Sequence, residues 1–360
     1  MRIGIDITKA LPPRDGIGNY TFHLARALIG LSCDHELRFC ALAPQASLAQ
    51  LRAVLGELPP NCSFVETASL GDAIDLFHAP SWDVPFGYRG PLVLTCHDLT
   101  FLTHPDFHLV DNKIHCVRAI VEAMVNEAHF LCVSRHTRNQ VLRRLEVPEE
   151  RTAVIYEGYD SIFGPGDRNA AAKRLRDRLG IRDPFILSVG SLEPRKNLLR
   201  LVRAYDGLPV QIRREYDLLL AGPPGWRNED LHAHLRSRNA SGSVRLLGYV
   251  EVEDQADLYR AASAFVYPSL AEGFGLPVLE ALACGAPVAV SAASSLPEVS
   301  GDAALLFDPE REEEIREAIR RLLVEPDLAS EMSERAVERA SRFSWQRAAS
   351  ETVALYETLV

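Results

Sequence analysis

The stretch Pro268-Ser-Leu-Ala-Glu-Gly-Phe-Gly-Leu-Pro-Val-Leu-Glu-Ala-Leu-Ala-Cys-Gly-Ala-Pro-Val-Ala-Val-Ser291 decides the fold. A short apolar run, 264–267, reads as a strand ending at Pro268. A glycine-bearing turn, Gly273 to Gly275, then opens a helix predicted over 276–284, and a second strand follows over 287–290. Pro277 suits the first helical turn, where a missing N–H costs nothing. Strand, turn, helix, strand is the repeating unit of a parallel α/β sheet. Free N–H groups at the helix start can bind anions or hydroxyl oxygens. Glu272 lies just before the helix and Glu280 about one turn inside it, so both can project to the same end of the strand. A carboxylate accepts two hydrogen bonds from a vicinal diol, and two carboxylates suit a polyhydroxylated ligand. The plain alternative is a capping acid and a solvated helix glutamate. The helix is almost entirely apolar, so Glu280 has no obvious solvent face.

Working outward, the same alternation fills the chain. The first half reads as strand 2–7, helix 17–30, strand 37–43, helix 46–56 and short strands near 63–66, 75–78 and 92–96. Helix 112–128, strand 130–134, helix 135–145 and strand 152–156 follow. Gly158, Gly164, Pro165 and Gly166 then cluster as a linker. Beyond it the pattern restarts with helix 169–179, strand 185–190, helix 197–206, strand 217–221, helix 228–238, strand 244–247 and helix 254–262. The tail from 310 is helical, with breaks near Pro326 and Ser344. This predicts two doubly wound α/β domains, 1–165 and 166–344, with the last helix, 345–360, packing back on the first. Ligands of such folds bind at the carboxyl ends of the strands and between domains.

The chain has 360 residues, enough for about two domains. It is 47% hydrophobic and 24% charged, which excludes a disordered chain or a disulfide scaffold. A net charge of −10 removes a global basic field for nucleic acid, so an anionic ligand needs a local site. The seven cysteines, Cys33, Cys40, Cys62, Cys96, Cys116, Cys132 and Cys284, form no Cys-x-x-Cys pair and read as buried thiols of a cytoplasmic protein. The start, Met-Arg-Ile-Gly-Ile-Asp, lacks a signal-peptide apolar region, and no run reaches membrane-spanning length.

Three further stretches carry chemistry. In Ser188-Val-Gly-Ser-Leu-Glu-Pro-Arg-Lys-Asn197 a buried strand runs into Arg195 and Lys196 before a helix, the pattern of a phosphate site. Surface loop charges are the plain alternative. Gly16-Ile-Gly-Asn-Tyr20 follows the first strand, and its glycines let backbone approach a phosphate. Thr21 stands where a dinucleotide fingerprint needs its third glycine, which argues against an oxidoreductase. Thr95-Cys-His-Asp98 places His97 and Asp98 at a strand's carboxyl end as a polar contact or general base. His104, His108 and His115 lack the spacing of a zinc helix, and no metal site is expected.

Taken together, these residues resemble the family-4 retaining glycosyltransferases. The resemblance covers nearly the whole chain and is strongest from Ser188 to Pro309. Its most specific parts are Gly190-Ser-Leu-Glu-Pro-Arg-Lys-Asn197, Glu272-Gly-Phe-Gly-Leu-Pro-Val-Leu-Glu280 and Cys284-Gly-Ala-Pro-Val. The run Ser295-Leu-Pro-Glu-Val with Gly301-Asp-Ala-Ala-Leu-Leu-Phe-Asp-Pro309 looks most like bacterial mannosyltransferases of surface-polysaccharide assembly. The resemblance implies the GT-B fold, two Rossmann-like domains facing a cleft. It implies that Glu272, with the N–H groups of Gly273, Phe274 and Gly275, contacts the donor sugar, and that Glu280 holds the ribose. Arg195 and Lys196 would neutralise the diphosphate, facing Gly16 and Gly18. His97 would sit by the reacting carbon, and Leu296 and Glu298 would line the nucleotide pocket. Two positions depart from the family: Ser191 stands where many relatives carry arginine, and Asn19 where a basic residue is common.

The expected reaction is transfer of a hexose, mannose favoured and GDP-mannose the expected donor, to a glycan or lipid-linked glycan with retention. The nucleotide sugar is a substrate, and no cofactor is expected. No Asp-x-Asp occurs, which counts against a metal held by that motif; Arg195 and Lys196 are the substitute. Alternatives are a sugar-nucleotide epimerase, a phosphorylase or a non-catalytic sugar-nucleotide binder. Arg135, Arg138, Arg143 and Arg144, with Val141, Leu142 and Leu145, would make a basic amphipathic helix for peripheral contact with the inner membrane face.

Overall fold

The computed structural model describes residues 1–360 except 13, 32–33, 43–46, 67–72, 86 and 239–241. Cys33 and the start of the expected helix at residue 46 lie outside the described residues. The chain forms two compact units, Met1–Gly158 with Phe343–Val360, and Tyr159–Arg342.

Among the described residues the first unit holds seven strands: β1 (Arg2–Asp6), β2 (Glu36–Cys40), β3 (Cys62–Phe64), β4 (Leu76–Ala79), β5 (Leu92–Cys96), β6 (His129–Cys132) and β7 (Thr152–Val154). All described pairs are parallel, in the order β3-β2-β1-β4-β5-β6-β7. The second unit holds β8 (Phe185–Val189), β9 (Asp217–Ala221), β10 (Val244–Gly248), β11 (Ala264–Tyr267), β12 (Val288–Ser291) and β13 (Ala304–Phe307). Its order is β10-β9-β8-β11-β12-β13, again all parallel.

The central strands are mostly apolar because helices cover both faces of a parallel sheet. Every residue of β5, β8, β9 and β11 is buried. Each fully buried Leu, Ile or Phe contributes about 1.5–3 kcal/mol. The helix Leu198–Asp206 shows the matching pattern: Leu198, Leu201, Val202 and Tyr205 fall on one face and join Leu218 and Leu220 in the core.

The last helix, Trp345–Glu357, belongs to the first unit and packs on the helix Gly16–Ile29. Ser344 caps it by accepting from the Arg347 amide at 3.1 Å. Its start lies so close to residue 158 that a Cβ there would be 2.2 Å from the Trp345 nitrogen, so only glycine fits. Residues 159–165, grouped with the first half on the sequence pattern, lie in the second unit. Arg260 holds them by donating to the carbonyls of Gly164 (2.8 Å) and Ile162 (2.5 Å). Six cysteines are buried free thiols.

Candidate functional site

In each sheet the strand order reverses at one place, between β1 and β4 and between β8 and β11. Loops leaving the carboxyl ends of such neighbours part to opposite faces and leave a crevice. In the second unit these two loops are 190–197 and 268–275, the segments that carry the suspected chemistry.

Asn197 joins them. It adopts a left-handed conformation (φ 57°) that ends the tight turn Pro194–Lys196. Its amide donates to the carbonyls of Pro268 (3.1 Å) and Pro309 (2.7 Å). The Leu270 amide donates back to the Arg195 carbonyl at 2.9 Å. So fixed, Arg195, Lys196 and Glu272 meet. Lys196 Nζ donates to Glu272 Oε1 (2.7 Å) and to the Tyr267 hydroxyl (2.7 Å). Arg195 donates to Glu272 Oε2, to the Ala271 carbonyl (2.8 Å) and to Glu193 (2.7 Å). Ser269 and Tyr267 donate to Glu272 Oε1 at 2.6 and 2.9 Å.

Lys196, Glu193 and Glu272 are all buried. Burial alone would raise the Glu272 pKa. The charges of Arg195 and Lys196 and the bonds from Lys196 and Ser269 overcome this and hold it at about 2. Lys196 is shifted down, by burial first and by Arg195 second, against the opposing pull of Glu272 and Glu193. Two acids and two cations sum to zero formal charge. The cations are held by the two carboxylates, the Tyr267 hydroxyl and the Ala271 carbonyl, in a charge-assisted network.

The turn after Glu272 is equally fixed. Ser295 donates to the carbonyls of Glu272 (3.0 Å) and Phe274 (2.8 Å), and the Glu272 amide donates to Ser294 (2.9 Å). Gly275 has φ 114°, and a Cβ on it would lie 2.7 Å from the Leu296 side chain. Leu296 is therefore a buried support of the turn, and Glu298 is half-buried on the same short helix, Leu296–Ser300. Gly273 and Phe274 are buried beside them. Glu280 is half-buried in the helix Leu276–Ala283. It accepts from Tyr259 (2.9 Å) and Gln255 (3.0 Å), one turn apart on the helix Val252–Ala261.

In the first unit His97 follows β5 and is buried. Its Nε2 lies 2.8 Å from the Pro80 carbonyl, an acceptor, so Nε2 carries the proton. Nδ1 faces Glu157 at 3.9 Å, and the Tyr20 ring meets the imidazole edge-on at 4.8 Å. Asp98 does not orient His97. It accepts from the Thr100 amide (2.8 Å) and hydroxyl (2.7 Å) and shapes the next turn. Gly16 is exposed with open space where a Cβ would stand. Gly18 is buried, a Cβ there would lie 2.7 Å from the Lys9 carbonyl, and its amide donates to the Asp15 carboxylate at 2.8 Å. Gly18 is thus accounted for by packing and capping.

The helix Arg135–Leu145 is not an open amphipathic surface. Val141 is fully buried and Leu145 packs on the same core, while Arg138 is bound to Thr152 and Glu149. The exposed apolar face lies on Val110–Val125, where Val110, Ile114, Val121 and Val125 are each more than half exposed. Among the described residues no helix is long and apolar enough to cross a membrane. Sequence reasoning left Glu193, Asn197, Tyr267, Ser269, Gln255 and Tyr259 without roles. The Gln255–Tyr259 spacing of four was a readable signal, since such pairs share a helix face.

Comparison with known proteins agrees with both halves. The family profile described as Glycosyltransferase Family 4 matches residues 14–162, and that described as Glycosyl transferases group 1 matches residues 172–339. The O-antigen chain mannosyltransferase B of Escherichia coli is 34% identical over 284 residues, covering 79% of this chain and 74% of that protein. A serotype-specific mannosyltransferase WbdA of Escherichia coli is 31% identical over 264 residues, 71% of this chain but 32% of that protein. The crystal structure of Anabaena HepE in complex with UDP and glucose superposes with a TM-score of 0.78 at 20% identity, covering all of both chains. Two Rossmann-like units of the GT-B kind, the paired motifs on β8 and β11, and these relatives place the chain in the group-1, family-4 glycosyltransferases.

Proposed function

We propose that this glycosyltransferase moves mannose from a nucleoside-diphosphate donor, GDP-mannose, to a glycan or lipid-linked glycan of surface-polysaccharide assembly. The observation that carries the donor class is the buried Arg195–Lys196–Glu272 cluster at the β8/β11 reversal. The choice of mannose rests on the names of the Escherichia coli relatives.

As the glycosidic bond breaks, negative charge develops on the departing diphosphate. Arg195 and Lys196 are pre-aligned to stabilise it without a metal ion, the arrangement that lowers a barrier most in a dry site. Glu272, relieved of its cations, turns to the hydroxyls of the sugar. Glu280, held by Tyr259 and Gln255, takes the ribose diol. His97, proton on Nε2 and bound to Pro80, offers Nδ1 to a sugar hydroxyl. Retention follows if the acceptor attacks from the face the diphosphate leaves, with the leaving phosphate taking its proton. A bilayer bearing a lipid-linked acceptor is the partner we assign to the exposed face of Val110–Val125, in place of the arginine helix.

Thermal shift with GDP, UDP and ADP, then with their sugar conjugates, tests the donor. GDP and GDP-mannose should stabilise most, because only folded protein binds them. A UDP preference would overturn the mannosyl reading and leave the fold intact. No shift with any of them would remove the diphosphate role from the cluster.

A further inference from the structure

We propose that the C-terminal helix serves the reaction through Tyr356, which sets the imidazole of His97 by way of a buried hydrogen-bonded chain, Tyr356–His78–Thr95–Tyr20. Tyr356 and His78 are then positioning residues; neither touches substrate. The inference rests on the role proposed for His97.

The chain is continuous and sealed. Tyr356 hydroxyl to His78 Nδ1 is 2.5 Å, His78 Nε2 to Thr95 Oγ1 is 2.8 Å, and Thr95 Oγ1 to the Tyr20 hydroxyl is 3.2 Å. All four side chains are buried. Burial, with His97 nearby, keeps the His78 pKa down at about 3, so its ring is neutral with one N–H and one lone pair. Such a ring passes one hydrogen bond in and one out. The links therefore run in one sense or the other, the hydroxyl at the receiving end only accepting within the chain, and both ring nitrogens of His78 are bonded.

At its far end the chain fixes Tyr20, whose ring lies perpendicular to His97 at 4.8 Å between centroids. Trp345, from the first turn of the same C-terminal helix, meets Tyr20 edge-on at 5.7 Å between centroids. The Pro80 carbonyl holds one imidazole nitrogen, and Tyr20 holds the plane of the ring. Together they aim Nδ1. Packing alone does not call for this arrangement. His78 sits mid-sheet between Ile5 of β1 and Val93 of β5, where an aliphatic side chain would fill the space with no polar group to satisfy.

The test uses the full chain, with GDP release from GDP-mannose in the presence of a mannose-terminated oligosaccharide. Tyr356→Phe removes one hydroxyl and should lower kcat per folded enzyme about five- to tenfold with donor KM unchanged, the folded fraction being counted by stoichiometric GDP binding. His78→Phe should cost at least as much, and the double variant little more than His78→Phe, since one chain is broken twice. Tyr20→Phe, which keeps the ring, serves as a second probe if His78→Phe folds poorly. Ring-nitrogen NMR of His97 reads the same effect without turnover: Tyr356→Phe should shift it. If His97→Ala abolishes turnover while Tyr356→Phe keeps wild-type kcat and an unmoved His97 signal, the proposal is overturned and the role of His97 stands. If His97→Ala is fully active, that role fails, and the NMR signal alone decides whether the chain sets the ring.

Discussion

Lys196 Nζ lies 2.7 Å from Glu272 Oε1 although 76 residues separate them, and both are buried. Removing one partner of such a pair leaves a buried charge uncompensated, at a cost of about 3–5 kcal/mol. Glu272→Gln should therefore lower the melting temperature of the second unit, and GDP should restore more stability to the variant than it adds to the wild type. The anion takes the place of the lost carboxylate. Thermal shift with and without GDP measures this; equal GDP shifts would mean that the nucleotide's phosphates do not meet these cations.

Lys196→Ala should lower kcat by about 10²–10³-fold, the cost of deleting one donor to a developing oxyanion. Steady-state turnover measures it, and near-normal turnover would sink the leaving-group role. Lys196→Arg should not rescue fully, because the planar guanidinium cannot reproduce the bonds to both Tyr267 and Glu272.

Tyr259→Phe deletes a bond that orients Glu280 and leaves the one from Gln255. At about 0.5–1.5 kcal/mol for such a bond, donor KM should rise roughly three- to tenfold with kcat little changed. A donor carrying a 2′-deoxyribose should lose this sensitivity. Equal sensitivity with both donors would detach Glu280 from the ribose.

Two buried groups of the first unit should give stability profiles of opposite slope. His78 is held near 3 against an ordinary 6.5, by burial first. Between those values the unfolded chain binds a proton and the folded chain does not, so stability falls as pH falls. Asp6 is raised from 3.8 to about 7, mainly by burial and further by Asp83, with Thr8 opposing. Between those values the folded chain holds the extra proton, so stability falls as pH rises. Relative to wild type, His78→Gln should gain stability and Asp6→Asn should lose it as pH drops from 6.5 to 4. Each difference is bounded by about 1.4 kcal/mol per pH unit. Urea melts across this range measure both, and parallel profiles would refute the assignment.

On vesicles of zwitterionic and anionic lipid, Ile114→Asp with Val121→Asp should abolish co-sedimentation, while Arg143→Glu with Arg144→Glu should leave most of it. The reverse order would return the contact to the arginine helix.

The alternation of strands and helices was legible because parallel strands buried on both faces read as short, mostly apolar runs without charge, Phe185–Val189 above all. The loops holding Arg195, Lys196 and Glu272 were legible for the same reason: they follow such runs. Their meeting was not, since it depends on β11 pairing with β8 across two intervening strands. Gly18 shows the converse difficulty. A glycine at a helix entry looks alike whether it admits a phosphate or, as here, a carbonyl of its own chain. His78 gave no local sign at all; one of its partners, Tyr356, is 278 residues away.

That separation bears on how the protein is made. The first unit starts ahead of the second along the chain, yet its sheet waits for Tyr356 and its helix Gly16–Ile29 for Trp345. At about 5–20 residues per second, roughly a quarter of a minute to a minute passes between the emergence of His78 and that of Tyr356. The second unit is threaded and complete within that interval. Of these two units the one begun first is finished second, and a chain stopped before the helix Trp345–Glu357 carries a whole second unit and a first one with an open seam.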